Sequence, residues 1–138
     1  MLTLEVVTPT KRVVSPVRVE TVTLMGAQGE LTILPGHARL VSSMETGVLR
    51  YETEGHKEKQ TAVITSGFVE VKNDKVTVLA ETMEMAREID VERAKKAQTK
   101  AEERLKDKEL DPDSFRKYQL KLQRALIRQQ LAREHSSS

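Results

Sequence analysis

The chain has 138 residues, 38% of them hydrophobic and 32% charged, with a net charge of +2. That suffices for one or two small folded domains but not for a large core. Cysteine is absent, which excludes disulfides and thiolate metal sites and makes an intracellular, reducing compartment the expected setting.

No secretory segment is expected at the start, because Met1-Leu2-Thr3-Leu4-Glu5 has no apolar run of the needed length. No stretch approaches the roughly 18 to 20 apolar residues of a membrane span, so any membrane link is expected to run through a partner. The charge is uneven. Residues 1–86 carry nine Lys/Arg against eleven Asp/Glu, whereas residues 87–138 carry fourteen against ten. Within residues 113–133 there are six basic residues and a single acid, Asp113. Such a segment favours an acidic partner: nucleic acid, phosphate or an acidic protein face.

The first half reads as short strands. Residues 2–7 alternate, and Thr8-Pro9-Thr10-Lys11 punctuates them. Residues 17–24 place β-branched side chains at alternate positions. Gly26-Ala27-Gln28-Gly29 is a turn, and the strand at 30–34 is stopped by Pro35-Gly36. Further strands are predicted at 47–53, 60–65, 68–72 and 75–79, with Glu54-Gly55-His56-Lys57 turning the first of them. Asn73-Asp74 is a tight hairpin signal, since both residues tolerate the positive φ such turns need. Short strands spaced this evenly predict a sandwich or flattened barrel.

The pattern changes at Asp90, a good N-cap whose carboxylate can accept the free N–H groups of a first helical turn. Ala94, Ala97, Ala101 and Leu105 then share one helical face. Asp111-Pro112 opens a second helix, since Pro is tolerated at the first position. Phe115, Tyr118, Leu122, Ala125 and Gln129 line one face of it, with Leu120, Ile127 and Leu131 as a weaker line. Two helices with a short connection predict an antiparallel hairpin, and the end from Arg133 to Ser138 is expected to fray. An alanine-rich seam buries little area. At roughly 25 cal/mol per Å² it barely offsets ordering costs of about 1–2 kcal/mol per residue, so the hairpin must lean on the β domain or on another protein.

Catalytic chemistry has little support. His37, His56 and His135 are scattered, and no Gly-x-x-x-x-Gly-Lys-Ser/Thr phosphate loop occurs. Leu34-Pro35-Gly36-His37-Ala38 is a shaped, rigid loop: a plain β connection, or a surface at which Glu30 and His37 face a partner. The basic second helix has three readings: a solvated face, a nucleic-acid binder, or a clamp on an acidic protein. The acidic β half and the scarcity of aromatics weaken the nucleic-acid reading.

These features together resemble the epsilon subunit of F-type ATP synthases, bacterial type. The resemblance runs through Gly29-Glu30-Leu31-Thr32-Ile33-Leu34-Pro35-Gly36-His37-Ala38, Gly47-Val48-Leu49-Arg50, Gly67-Phe68-Val69-Glu70-Val71 and Lys75-Val76-Thr77-Val78-Leu79-Ala80-Glu81. It continues in Ile89-Asp90-Val91-Glu92-Arg93-Ala94, which matches the family's Ile/Leu-Asp-x-x-Arg-Ala motif. It implies a β-sandwich of about ten strands over residues 1–86 and a helical hairpin over 87–138. It implies a non-catalytic rotor subunit of a proton-translocating synthase, bound to the gamma subunit and resting on the c-ring with Glu30 and His37. The hairpin is implied to fold down against the sandwich or to extend into the alpha/beta head and restrain ATP hydrolysis. Arg116, Lys117, Lys121, Arg124 and Arg128 would then face an acidic segment of the beta subunit, which favours the protein clamp over nucleic acid.

In some bacterial members the folded-down hairpin binds ATP as a regulatory ligand, and no cofactor or metal is required. The matching positions are Glu84, Ile89, Asp90, Arg93, Ala94, Arg124 and Arg128. Arg93, Arg124 and Arg128 offer guanidinium forks to phosphates, while Glu84 or Asp90 could accept from adenine or ribose. Lys100 departs from the pattern, standing where nucleotide-binding members often have Arg. The motif also has a purely structural reading in which Asp90 caps the helix and Arg93 pairs with a nearby acid. The implied location is the cytoplasmic face of a bacterial plasma membrane, held there through partners, with the stromal side of a thylakoid as the alternative. The rival function is a free-standing basic adaptor that binds nucleic acid or an acidic protein through the second helix.

Overall fold

A computed structural model of the chain describes residues 1–55 and 59–136. It divides into two compact units, Met1–Met85 and Ala86–Ser138. The predicted turn at Glu54-Gly55-His56-Lys57 is therefore described only as far as Gly55, and Ser137 and Ser138 lie outside the described residues.

The first unit is all β. Its strands are β1 (Leu2–Val7), β2 (Arg12–Gly26), β3 (Gly29–Ile33), β4 (Leu40–Met44), β5 (Gly47–Thr53), β6 (Lys59–Ile64), β7 (Gly67–Lys72), β8 (Lys75–Ala80) and β9 (Met83–Met85). They pair in the order β1-β8-β7-β4-β2-β5-β6-β9, with β3 added on β2. A further β1–β2 pairing closes the path on itself. The fifteen-residue β2 makes this closure possible. Its first half pairs with β1, and its second half pairs with β3 and β5. One long strand thus serves two layers.

Sequence reading starts this strand at residue 17, where the alternation of β-branched residues begins. The chain instead passes through Pro16 as strand. The β1–β2 register slips between Leu4 and Val6, whose partners are Val17 and Val14, so the slip falls opposite residues 15 and 16. A bulge is where a ladder tolerates a proline.

The core is aliphatic. Leu2, Leu4, Val6, Val19, Val22, Leu24, Ile33, Leu49, Ile64, Val69, Val71, Val76 and Val78 are fully or almost fully buried. Glu5 points away from this core, yet it is covered: Arg12 Nε lies 3.0 Å and Lys75 Nζ 3.6 Å from its carboxylate. Gly67 has a packing reason to be glycine. A Cβ there would collide with the Leu79 carbonyl of the neighbouring strand.

Two strands carry no usable sequence signal. In β4, Leu40 and Ser42 are half-buried while Val41 is exposed, so the apolar alternation does not track the inward face. β9 is three residues long, shorter than any periodicity can register.

The second unit begins with a 3-10 turn, Ala86–Glu88, followed by α1 (Val91–Leu105) and α2 (Pro112–Ser136). Ala94 and Ala101 of the predicted α1 stripe are buried, with Ala97 and Leu105 half-buried. On α2, Ala125, Gln129, Leu131 and Ala132 are buried, but Phe115 and Leu120 are exposed. Register explains the difference. Gln129 Nε2 donates to Gln98 Oε1 at 2.7 Å, so the two helices are level at these residues. Seven residues further toward the connection, Leu105 ends α1 opposite about position 122. The first turns of α2 extend past the end of α1 and leave Phe115 and Leu120 without a facing helix. As far as residue 136, the end of α2 is less frayed than expected. α2 continues through Arg133, Glu134 and His135, with Leu131 and Ala132 buried beneath and Gln130 Nε2 donating to Glu134 Oε1 at 3.4 Å.

Candidate functional site

Two regions carry the candidate residues, one in each unit. In the helical unit the motif Ile89-Asp90-Val91-Glu92-Arg93-Ala94 sits where the chain enters α1. Asp90 has extended backbone (φ −88°, ψ 103°), and its carboxylate accepts the Arg93 N–H at 3.1 Å. Its carbonyl accepts the Ala94 N–H at 3.0 Å, the first turn of the helix. Asp90 is therefore the N-cap the sequence predicts. Ala94 is fully buried, so a small residue is required there for close packing. Ile89 is half-buried, and Arg93 is exposed.

The register of the hairpin places the arginines. Antiparallel helices level at Gln98 and Gln129 put Arg93 level with about position 134. At roughly 1.5 Å per residue, Arg128 then lies about 9 Å from Arg93 along the axis and Arg124 about 15 Å. A polyphosphate chain is long enough to bridge the first pair, and Arg124 lies one turn further on. Arg128 is 8% exposed and already engaged, while Arg124 is half-buried. Glu84 belongs to the other unit, on β9 opposite Val63. A shallow groove on α1 between Glu92, Lys96, Thr99 and Lys100 contains none of the predicted nucleotide residues.

The five basic residues assigned to an acidic partner divide by burial. Arg116, Lys117 and Lys121 are exposed, whereas Arg124 is half-buried and Arg128 buried. Sequence reading missed a contributor from the other helix. The Arg104 guanidinium lies 5.1 Å from the centre of the Tyr118 ring, and Lys121 and Lys117 lie at 5.3 and 5.9 Å. Three cations thus gather around one aromatic ring, each within reach of its quadrupole. The hydrogen bond with Arg104, followed by the positive charges of Arg104, Lys117 and Lys121, holds the Tyr118 phenol below its usual 10.0, against an opposing effect of desolvation. The signal for Arg104 was weak, because it depends on the pairing of α1 with α2.

In the β unit, Glu30 is exposed on β3 opposite Met25. His37 follows the far end of that strand, in a turn where its N–H donates to the Leu34 carbonyl at 3.1 Å. Its Nδ1 donates to the Ala38 carbonyl at 2.8 Å, since a carbonyl can only accept. That bond places a proton on Nδ1 and leaves Nε2 to face a partner. The loop is shaped, as its Pro and Gly imply: Gly36 has φ 83°. Among the described residues no cluster of three or more His, Asp or Glu is gathered for a metal, and no helix is long and apolar enough to cross a membrane.

Comparison with known proteins bears on the whole chain. The family described as ATP synthase, Delta/Epsilon chain, beta-sandwich domain matches residues 1–86. The one described as ATP synthase, Delta/Epsilon chain, long alpha-helix domain matches residues 87–133. The chain is 48% identical over 131 residues to an ATP synthase epsilon chain of Geotalea uraniireducens, covering 95% of this chain and 93% of that one. It is 50% identical over 112 residues to an ATP synthase epsilon chain of Brevibacillus brevis, covering 81% and 83%. Among solved structures it is similar, with a TM-score of 0.75 and 25% identity, to a chain of the Euglena gracilis mitochondrial ATP synthase OSCP/F1/c-ring assembly. That match covers 99% of this chain and 81% of the other.

Proposed function

This chain belongs to the ATP synthase delta/epsilon family, and from that premise we propose that it works as the epsilon subunit of the central stalk, coupling ring rotation to the catalytic head. It is a non-catalytic subunit of the complex. The observation that supports the stalk reading best is its extent: both domains match in order, from residue 1 to residue 133. In this reading the β unit holds gamma and the c-ring of a proton-translocating synthase, with Glu30 and His37 toward the polar loops of the ring. Attachment to the membrane runs through these partners, on the cytoplasmic side of a bacterial plasma membrane.

The hairpin restrains ATP hydrolysis. Its means is the exposed basic end of α2: Arg116, Lys117 and Lys121 are available to an acidic segment of the beta subunit as the hairpin stands. Arg124 and Arg128 join them only when the hairpin opens. Folded, the same two arginines and Arg93 hold the phosphates of ATP, with the carboxylate oxygen of Asp90 that does not cap the helix as an acceptor for the nucleoside. One set of arginines thus has two competing occupants, and ATP favours the closed hairpin.

The test of the stalk reading is recovery of the complex on a tagged copy of this chain. Gamma, the ring and the alpha and beta subunits are expected in stoichiometric amounts, without nucleic acid. Salt-sensitive recovery of DNA or RNA in place of gamma would point to the basic-adaptor alternative.

A further inference from the structure

The turn between β7 and β8 is Asn73-Asp74, and both residues lie in the left-handed region, at φ 50° and 59°. Two-residue hairpin turns of this hand favour glycine at the second position, where a Cβ is crowded. Here that position holds an aspartate, and its carboxylate has a long-range use. Asp74 Oδ1 accepts the Gly36 N–H at 2.8 Å, across 38 residues of sequence. The Asp74 carbonyl accepts the Thr3 N–H at 2.8 Å.

One turn residue therefore ties together the start of β1, the β7–β8 hairpin and the 34–37 loop. The β strands are paired by their own ladders. The loop's backbone tie to the rest of the sheet at this point is the Gly36 N–H. Gly36 sits at φ 83°, and the loop presents Leu34, 52% exposed, beside His37, whose ring is oriented by the Ala38 carbonyl. A carboxylate accepting a backbone N–H makes one of the stronger hydrogen bonds available at a surface.

We infer that Asp74 is a positioning residue: its carboxylate locks the 34–37 loop in the shape that presents Leu34 and His37 to the c-ring. The inference rests on the ring-contact reading of that loop. It accounts for a strained aspartate where glycine would relieve the backbone.

Two substitutions separate the carboxylate from the turn. Asp74→Gly relieves the positive φ and removes the acceptor, whereas Asp74→Asn keeps an acceptor oxygen. Two readouts are needed. Hydrogen exchange at the Gly36 amide is followed in the isolated full chain, and proton pumping per ATP hydrolysed is followed in membranes carrying the assembled synthase. Asp74→Gly is expected to fold with unchanged or higher thermal stability, to exchange the Gly36 amide about tenfold faster and to lower coupling about twofold or more. Asp74→Asn is expected to match wild type on all three. A purely structural role predicts no loss of coupling from glycine. Unchanged coupling or unchanged Gly36 exchange in Asp74→Gly overturns the inference, as does an Asp74→Asn variant that behaves like Asp74→Gly. A Glu30→Ala/His37→Ala chain tests the underlying reading. If that chain couples normally, the ring contact is wrong and the inference falls with it. If it uncouples while Asp74→Gly does not, the ring contact stands and only the role of Asp74 fails.

Discussion

At the scale of single residues, Asp90 and Arg93 divide the work at the entry to α1. Asp90 is occupied as a cap, its carboxylate bonded to the Arg93 N–H. The Arg93 guanidinium is outside that interaction and exposed. Asp90→Ala is therefore expected to cost the hairpin about 1 kcal/mol, seen as an earlier helical melt. Arg93→Ala should leave the melt nearly unchanged and weaken ATP binding. Titration of the isolated chain with ATP, with and without Mg, checks this against Arg93→Ala and Arg124→Ala. Equal, weak binding by all three would leave Asp90 a cap and remove the nucleotide from the account. Tyr118 offers a spectroscopic check of the cation cluster. In a Tyr51→Phe background its phenol should ionise below the usual 10.0, and Arg104→Gln should move the midpoint upward. A midpoint indifferent to Arg104 would show that the cluster does not form. Asp90 was legible in the sequence because capping is local, settled within four residues. Asp74 was legible as a turn residue but not as an anchor, because its partner lies 38 residues away.

At the scale of elements, the α1–α2 seam is thin and carries a polar pair. Gln129 Nε2 donates to Gln98 Oε1 and, at 3.3 Å, to the Ala125 carbonyl. Between alanines, such a pair fixes register more than it adds strength. Gln129→Leu would strand the Gln98 amide and should cost about 1–3 kcal/mol, read from helical ellipticity in denaturant. The double Gln98→Leu/Gln129→Leu change should recover most of that. A double variant as unstable as the single one would show that the pair is not the register lock. The start of α2 is acid-sensitive. The Ser114 hydroxyl and then the Ser114 N–H bond the Asp111 carboxyl and hold it below its usual 3.8. A lowered folded value means that the cap stabilises fully above the unfolded value and is lost as pH falls through the folded one. Asp111→Ala should therefore weaken the hairpin at neutral pH and bring no further loss in acid at this cap. In the β unit, Gly67→Ala should destabilise by about 1–3 kcal/mol, because the Leu79 carbonyl occupies the space. The alternating strands and the two helices were readable because burial follows side-chain period there. β4 was not, since Val41 faces solvent while Ser42 is turned inward. The length of β2 was hidden by Pro16, whose bulge depends on a partner strand.

At the scale of the whole molecule, the chain divides at residue 85 into two units, to which the proposed function gives different tasks. The β unit is closed on itself, with its own aliphatic core. The helical unit has a small-residue seam, a polar register pair and an exposed basic end. A seam of alanines buries little apolar area, so the contact between the two helices is thin. In the proposed account the arginines serve both states: ATP would hold them in the closed hairpin, and opening of the hairpin would turn them to an acidic face in the head. The sequence showed this asymmetry as charge, acidic before residue 86 and basic after it. Which arginines are covered could be read only from the hairpin register. The most direct test is to end the chain before Asp90 and measure ATP hydrolysis by the assembled complex. The truncated chain is expected to assemble with gamma and the ring, and hydrolysis is expected to rise above that of the full-length complex. Normal assembly with unchanged hydrolysis would contradict an inhibitory hairpin.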